Sequence, residues 1–239
     1  PEGRVHTFCH SVPGKWHVMG VVLSAGGSLR WYRDALCNEE KTLAAETGRD
    51  PYEYITEAAS AAPVGAEGLL FLPYLTGERT PHKDPYAKGA FAGLSLRHDK
   101  THMARAVLEG VAYAMRDSLE IIREMGVPIE QVRASGGGAK SPFWRQIQAD
   151  VNNAPLSTIN VDEGPAYGAA ILATVATGLY SSVEGACDAI IEVVDTCEPV
   201  ADNTRQYDKW FAEYQKTYTA VSYTHLRAHE TVLDLVCRL

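Results

Sequence analysis

Apolar and polar positions along the chain sort into a few recognisable patterns. From Thr101 to Met125, Met103, Val107, Val111, Ala114, Leu119 and Ile122 recur at steps of three to five. That spacing predicts one long helix with a single apolar face. It leaves Asp117, Glu120, Arg123 and Glu124 for a solvated opposite face. Gly126 follows and can close the helix in the left-handed conformation. Shorter apolar runs read as strands: WHVMGVVLS (Trp16 to Ser24), GLLFLPYL (Gly68 to Leu75), and brief ones in EQVRAS and PLSTIN. Further helices are expected in AGGSLRWYRDALC, in SPFWRQIQADV, in GPAYGAAILATVATG and in NTRQYDKWFAEYQKTYTAV. Asp50-Pro51 marks another helix start, with Asp as N-cap and Pro at the first helical position. Strands alternate with helices, so the class is α/β, and a single domain is expected.

One segment breaks the alternation. TGERTPHKDPYAKGAF, from Thr76, is long, polar and interrupted by Pro81 and Pro85. Such stretches inside compact domains are often functional loops. Glu78, Arg79, Thr80 and His82 are its candidates for phosphate or sugar contact, against the plainer reading of a solvated loop.

Composition narrows the partners. With 239 residues and 46% apolar content the chain can build a proper core. A net charge of -8 without a basic cluster argues against nucleic acid and anionic membrane surfaces. No apolar run nears the roughly 20 residues of a membrane span. The opening PEGRVHTFCHSVPGKW lacks a leader pattern, so a cytoplasmic protein is expected. Cys9, Cys37, Cys187, Cys197 and Cys237 form no CxxC pair and read as buried reduced thiols. His225 and His229 have helical metal-pair spacing but no third ligand. Trp144, Trp210 and Tyr214 read as packing anchors.

Two glycine-rich turns carry the candidate chemistry. RASGGGAKSPFW runs from a strand through Gly136, Gly137 and Gly138 into a helix. It is not a Walker loop: the two glycine positions that motif needs are held by Ala134 and Ala139, so Lys140 is not a phosphate-gripping lysine. Its bare backbone still permits close approach of a ligand, and a helix start favours an anion or polar group. Ser141 is the natural N-cap and Pro142 suits the first helical position. The second turn, SAGGSLRW, has Gly26 at a helix start and Arg30 roughly one turn further on. The alternative for both is a tight strand-to-helix turn made for packing. If both face a ligand, they would do so at the carboxyl ends of strands in an open sheet.

A longer pattern then identifies a resemblance. In GAFAGLSLRHDKTHMARAVLE, the residues Gly89, Phe91, Gly93 and Leu94, followed after a gap by His102, Met103, Ala104, Ala106, Val107, Leu108 and Glu109, match the second signature of the FGGY carbohydrate kinases. LPYLTGERTPHKDPYAKGAFAGL, RAVLEGVAYAMRD and GGGAKSPFWRQIQADV resemble the xylulokinase branch of that family. The resemblance implies a ribonuclease-H-like, actin-like ATPase domain, the second of two in a sugar kinase, over residues 1–221. It implies ATP, Mg²⁺ and a ketose sugar as partners, with D-xylulose as the expected acceptor and gluconate or glycerol as alternatives. It places the nucleotide on Gly26, Arg30, Gly136, Gly137, Gly138 and Ser141, the last standing where many relatives carry Asn. EGPAYGAAILA, from Glu163, resembles a helix packed near the interdomain hinge.

The same resemblance implies what the chain lacks. The base aspartate and a Gly-Thr-Ser phosphate turn would lie upstream, and the sugar and magnesium sites mostly in an N-terminal kinase domain. No catalytic residue is therefore expected here, and the chain alone is expected to be inactive. The alternative from another class is a non-catalytic nucleotide-binding module. An open sheet edge would be an association hazard, with a homodimer as the expected form. The tail from Ser222 to Leu239 is unlike the family and is expected to be non-native.

Overall fold

The computed structural model describes residues 3–162 and 164–225, with side chains through residue 222. Glu163, His229, Cys237 and nearly all of the 222–239 tail lie outside the described residues. Seven strands are described: β1 (His6–Cys9), β2 (Trp16–Met19), β3 (Leu70–Leu72), β4 (Ala90–Ala92), β5 (Val132–Ala134), β6 (Leu156–Ile159) and β7 (Val193–Cys197). The helices are α1 (Ala25–Leu36), α2 (Asn38–Thr47), α3 (Pro51–Ala61), α4 (Lys100–Glu124), α5 (Pro142–Asn152), α6 (Gly164–Ala176), α7 (Val183–Ile190) and α8 (Ala201–His225).

The predicted helices form where their caps stand. Asp50 accepts from the Tyr52 amide, and Asp99 opens α4 through a capping box with His102. Gly126 follows α4 with φ 75°, as expected. Two of the predicted strands are shorter than their apolar runs. β2 stops at Met19, and Ser24 becomes the N-cap of α1. β3 keeps only three residues of Gly68 to Leu75. α2, α7, β1, β4 and β7 have no clear sequence pattern. In α2 only Ala44 is buried, and β7 is largely exposed, so neither carries a strong apolar period.

α4 is the centre of the structure, and its surroundings correct the sequence reading. It is buried all round from Ala104 to Ala114 rather than along one face. α1, α3, α5, α8 and β3 pack about it. Small residues make this approach feasible. A Cβ on Gly110 would lie 2.1 Å from the Phe71 carbonyl oxygen, so only glycine lets β3 lie so close. The two charged side chains within the buried stretch are paired, whereas the Tyr113 hydroxyl is buried without a partner. Arg105 donates to Glu109 Oε1 (2.6 Å), to the Ala62 carbonyl (2.6 Å) and to the Tyr207 hydroxyl (2.9 Å). The same Glu109 oxygen accepts from Tyr207 (2.8 Å) and the Gly65 amide (3.0 Å), linking α4 to α8 and to the turn after α3. Asp117 is not on a solvated face either. It is 6% exposed and accepts from Gln215 of α8 at 2.9 Å.

Three small sheets flank this core. β1 and β2 pair antiparallel, as do β3 and β4. β5 and β6 pair in parallel through α5, and β7 adds antiparallel to β6. The β5–α5–β6 unit brings the glycine turn to a strand's carboxyl end, consistent with the α/β class. Trp144 and Tyr214 are buried as packing anchors, and Trp210 covers Gly65 and Gly68. The thiols are less uniform than expected: Cys37 is buried, Cys187 and Cys197 are half-buried, and Cys9 is exposed. No described helix is long and apolar enough to cross a membrane.

Candidate functional site

The first glycine turn is assembled by backbone geometry. Gly136 has φ 76°, which a side chain would resist, and its amide donates to the Asp162 carbonyl at 3.1 Å. Gly137 to Ala139 then form a single 3₁₀ turn. A Cβ on Gly138 would touch the Trp144 ring at 3.4 Å. Gly137 differs from both neighbours. It has no positive φ, and a Cβ built on it would meet nothing within 4 Å. Ser141 caps α5 by accepting from the Trp144 amide at 3.3 Å, which leaves its hydroxyl proton available to another acceptor. Trp144 anchors the helix below by donating from Nε1 to the Leu108 carbonyl of α4 at 3.1 Å.

The second turn is the first turn of α1. Gly26 is exposed, without a positive φ, and open space surrounds its Cβ direction. No side chain caps this helix start, and no acidic residue stands in its first turn. Its amides and positive dipole end therefore remain available to an anion. Arg30 is exposed on the second turn. Both α1 and α5 rest on α4, but among the described residues no hydrogen bond or ion pair joins the two turns.

The polar loop behaves differently from both sequence expectations. Glu78 and Thr80 are 3% and 0% exposed, so they neither reach into solvent nor present themselves to phosphate or sugar. Their side chains accept from the amides of Leu23 (3.1 Å) and Val21 (3.1 Å), in the chain that leads into α1. His82 is half-buried and stacks on Tyr218 with ring centroids 3.5 Å apart. Burial pushes its pKa down to about 4, against the opposing charge of Asp84. Arg79 alone of the four is exposed. Sequence spacing held no sign of this tie, because its partners lie 55 and 59 residues apart.

A cavity of about 250 Å³ lies beside the first turn, at the carboxyl ends of β5 and β6, lined by Ser135, Lys140, Arg145, Thr158 and Asp162 among others. None of the glycines of that turn lines it. Arg145 is committed within the fold, donating to the Ala139 carbonyl (2.7 Å) and pairing with Asp195 (2.5 Å). A shallower depression of about 360 Å³ runs along one side of α2, away from both turns. Among the described residues no group of three or more His, Cys, Asp or Glu could hold a metal ion.

Comparison with known proteins identifies the relatives of this chain. A xylulose kinase of Staphylococcus epidermidis is 40% identical over 217 residues, covering 91% of this chain and 42% of the relative. A gluconokinase of Bacillus subtilis is 36% identical over 208 residues, covering 86% of this chain and 40% of the relative. The crystal structure of a ligand-bound xylulose kinase from Lactobacillus acidophilus superimposes with a TM-score of 0.77 at 30% identity, over 92% of this chain and 43% of that one. The chain thus spans less than half the length of the relatives it matches. With residues 1–177 matching the C-terminal domain of the FGGY family of carbohydrate kinases, an extensive match that the fold supports, the chain belongs to that family.

Proposed function

We propose that residues 1–221 form the nucleotide-holding half of a sugar kinase. The whole enzyme would transfer the γ-phosphoryl group of ATP to a hydroxyl of a ketose, converting D-xylulose to D-xylulose 5-phosphate. The observation that carries this reading is the pair Gly137 and Gly26. Neither backbone conformation nor internal packing requires glycine at either position. A ligand lying directly on the backbone supplies the missing reason.

In this reading the Gly136–Gly138 turn is the floor for the adenosine end, and the Ser141 hydroxyl donates to it. The free amides of α1 at Gly26, with Arg30 one turn on, receive the phosphates. Phosphoryl transfer leaves little covalent work to the protein, so positioning and charge would provide most of the catalysis. The sugar hydroxyl needs a base within about 2.6–3.2 Å. We assign that base, the sugar site and the ligands of Mg²⁺ to the part of the relatives that this chain does not span. A second reading, with gluconate as acceptor, is favoured by the gluconokinase relative.

Calorimetric titration of the purified chain with ATP and ADP tests the proposal. Binding is expected for the wild type and lost in Gly137→Asp, whose side chain enters open space and should leave the melting temperature unchanged. Equal binding by both proteins would sink the glycine assignment. Turnover of xylulose, gluconate and glycerol by the whole enzyme, with its own sugar-binding part, would decide the acceptor.

A further inference from the structure

The start of α1 is held in an unusual way. Ser24 stands at the N-cap position, but its hydroxyl caps no amide of the helix. It is bound instead to the Thr76 hydroxyl, at 2.8 Å. Just before it, the Leu23 amide donates to Glu78 Oε1 (3.1 Å), and the Val21 amide donates to Thr80 Oγ1 (3.1 Å). The Thr80 amide returns a bond to the Val21 carbonyl at 3.1 Å. Alternate residues of the polar loop, at 76, 78 and 80, therefore grip the chain from 21 to 24.

The loop that does this is itself immobilised. Glu78 and Asp84 exchange backbone hydrogen bonds of 2.8 and 3.1 Å. Gly77 has φ 78°, and any Cβ there would meet the Pro85 carbonyl oxygen at 2.6 Å. Tyr218 of α8 donates to Asp84 at 2.8 Å. Glu78 is thus fixed from behind and offers one carboxylate oxygen forward, to the amides of Leu23 and Arg79. Its other oxygen is buried with no partner. A buried carboxylate with an unused oxygen is unfavourable in itself. Burial accordingly raises the pKa of Glu78 against the pull of its amide donors.

We propose that Glu78 is a positioning residue for the nucleotide turn, its carboxylate setting where the chain enters α1 and hence where the amides of Ala25, Gly26 and Gly27 point. This rests on the reading of that turn as a phosphate-receiving one. Glu78 touches no nucleotide and acts through Leu23. The family signature downstream and the glycine turn after β5 play no part in the tie.

The test uses the purified 239-residue chain as wild type, Glu78→Ala, Glu78→Gln and Thr76→Val. Hydrogen exchange at residues 23–28 reads the anchoring, and calorimetry with ATP and ADP reads the nucleotide affinity. In Glu78→Ala, exchange at 23–28 should rise about tenfold and affinity should fall about tenfold, the scale of one charge-assisted hydrogen bond. Exchange within α5 should not change. Glu78→Gln keeps the accepting oxygen and places its NH₂ where no partner is lost, so both readouts should stay within about twofold of wild type. Should Glu78→Ala fail to fold, Thr76→Val takes its place. Thr76 is exposed, and losing its hydroxyl removes only the tie to Ser24, for an expected threefold or so weaker binding. Unchanged exchange at 23–28 in Glu78→Ala, or in Thr76→Val where Glu78→Ala does not fold, overturns the anchoring. Raised exchange with unchanged affinity overturns the positioning role. Absence of nucleotide binding by the wild type overturns the reading of the turn instead, and the exchange data still decide the anchoring.

Discussion

Replacing Glu109 should show how much of the fold hangs on one buried carboxylate. Glu109 is 1% exposed and Arg105 6%, and the two meet at 2.6 Å within α4. Truncation to Ala strips Arg105 of its charge partner and leaves it only the Ala62 carbonyl and the Tyr207 hydroxyl. The Gly65 amide and the Tyr207 proton lose their acceptor at the same time. Breaking a buried ion pair from one side costs about 3–5 kcal/mol, because the remaining charge is left without compensation. Urea unfolding of Glu109→Ala, followed by circular dichroism, should show a loss in that range. The double variant Arg105→Met/Glu109→Leu should recover much of it, since replacing both partners by apolar groups removes the unpaired charge as well. A loss below about 1 kcal/mol for the single variant would refute the claim that this network joins α4 to α8. So would losses that simply add in the double variant.

Two further outcomes follow from the core. Burial, the dominant cause, lifts the pKa of Asp117 from 3.8 to about 6, with Gln215 and Arg116 opposing it. The folded state therefore holds this proton more tightly than the unfolded one, and the stability it contributes below about pH 4 is lost as pH rises through 6. Asp117→Asn keeps the acceptor for Gln215 without the charge. It should be about 3 kcal/mol more stable than wild type at pH 8 and nearly equal to it at pH 4. Equal unfolding midpoints at pH 8 would refute this. Gly110→Ala should drive a methyl group into the Phe71 carbonyl and lower stability by about 2–3 kcal/mol, read as a fall in melting temperature. An unchanged Tm would mean that α4 and β3 can separate freely.

Much of the local build of the candidate site was legible in the sequence. The two glycine turns were visible as strand, glycines and helix start, and the capping Ser141 and its proline were in place in the sequence. What could not be seen was which glycines are structural. Gly136 is bound to its φ and Gly138 lies against Trp144, whereas Gly137 and Gly26 answer to nothing inside the fold. Only the neighbours of each Cβ direction separate the two classes. The polar loop was the clearest misreading. Its composition suggests solvent or ligand, yet two of its four polar candidates, Glu78 and Thr80, are sealed against the entry to α1.

The sequence by itself determined where the main helices begin and end, because capping works over three or four residues. Asp50 before Pro51, Ser141 before Pro142 and Gly126 after α4 all act at that range. It also determined the family, through the long pattern from Gly89 to Glu109. Tertiary structure alone decided which charged residues are buried. Asp117 meets Gln215 across 98 residues of chain, and Tyr207 reaches Glu109 across the same separation. Most buried polar side chains rely on such a partner, and no local pattern records one so far away.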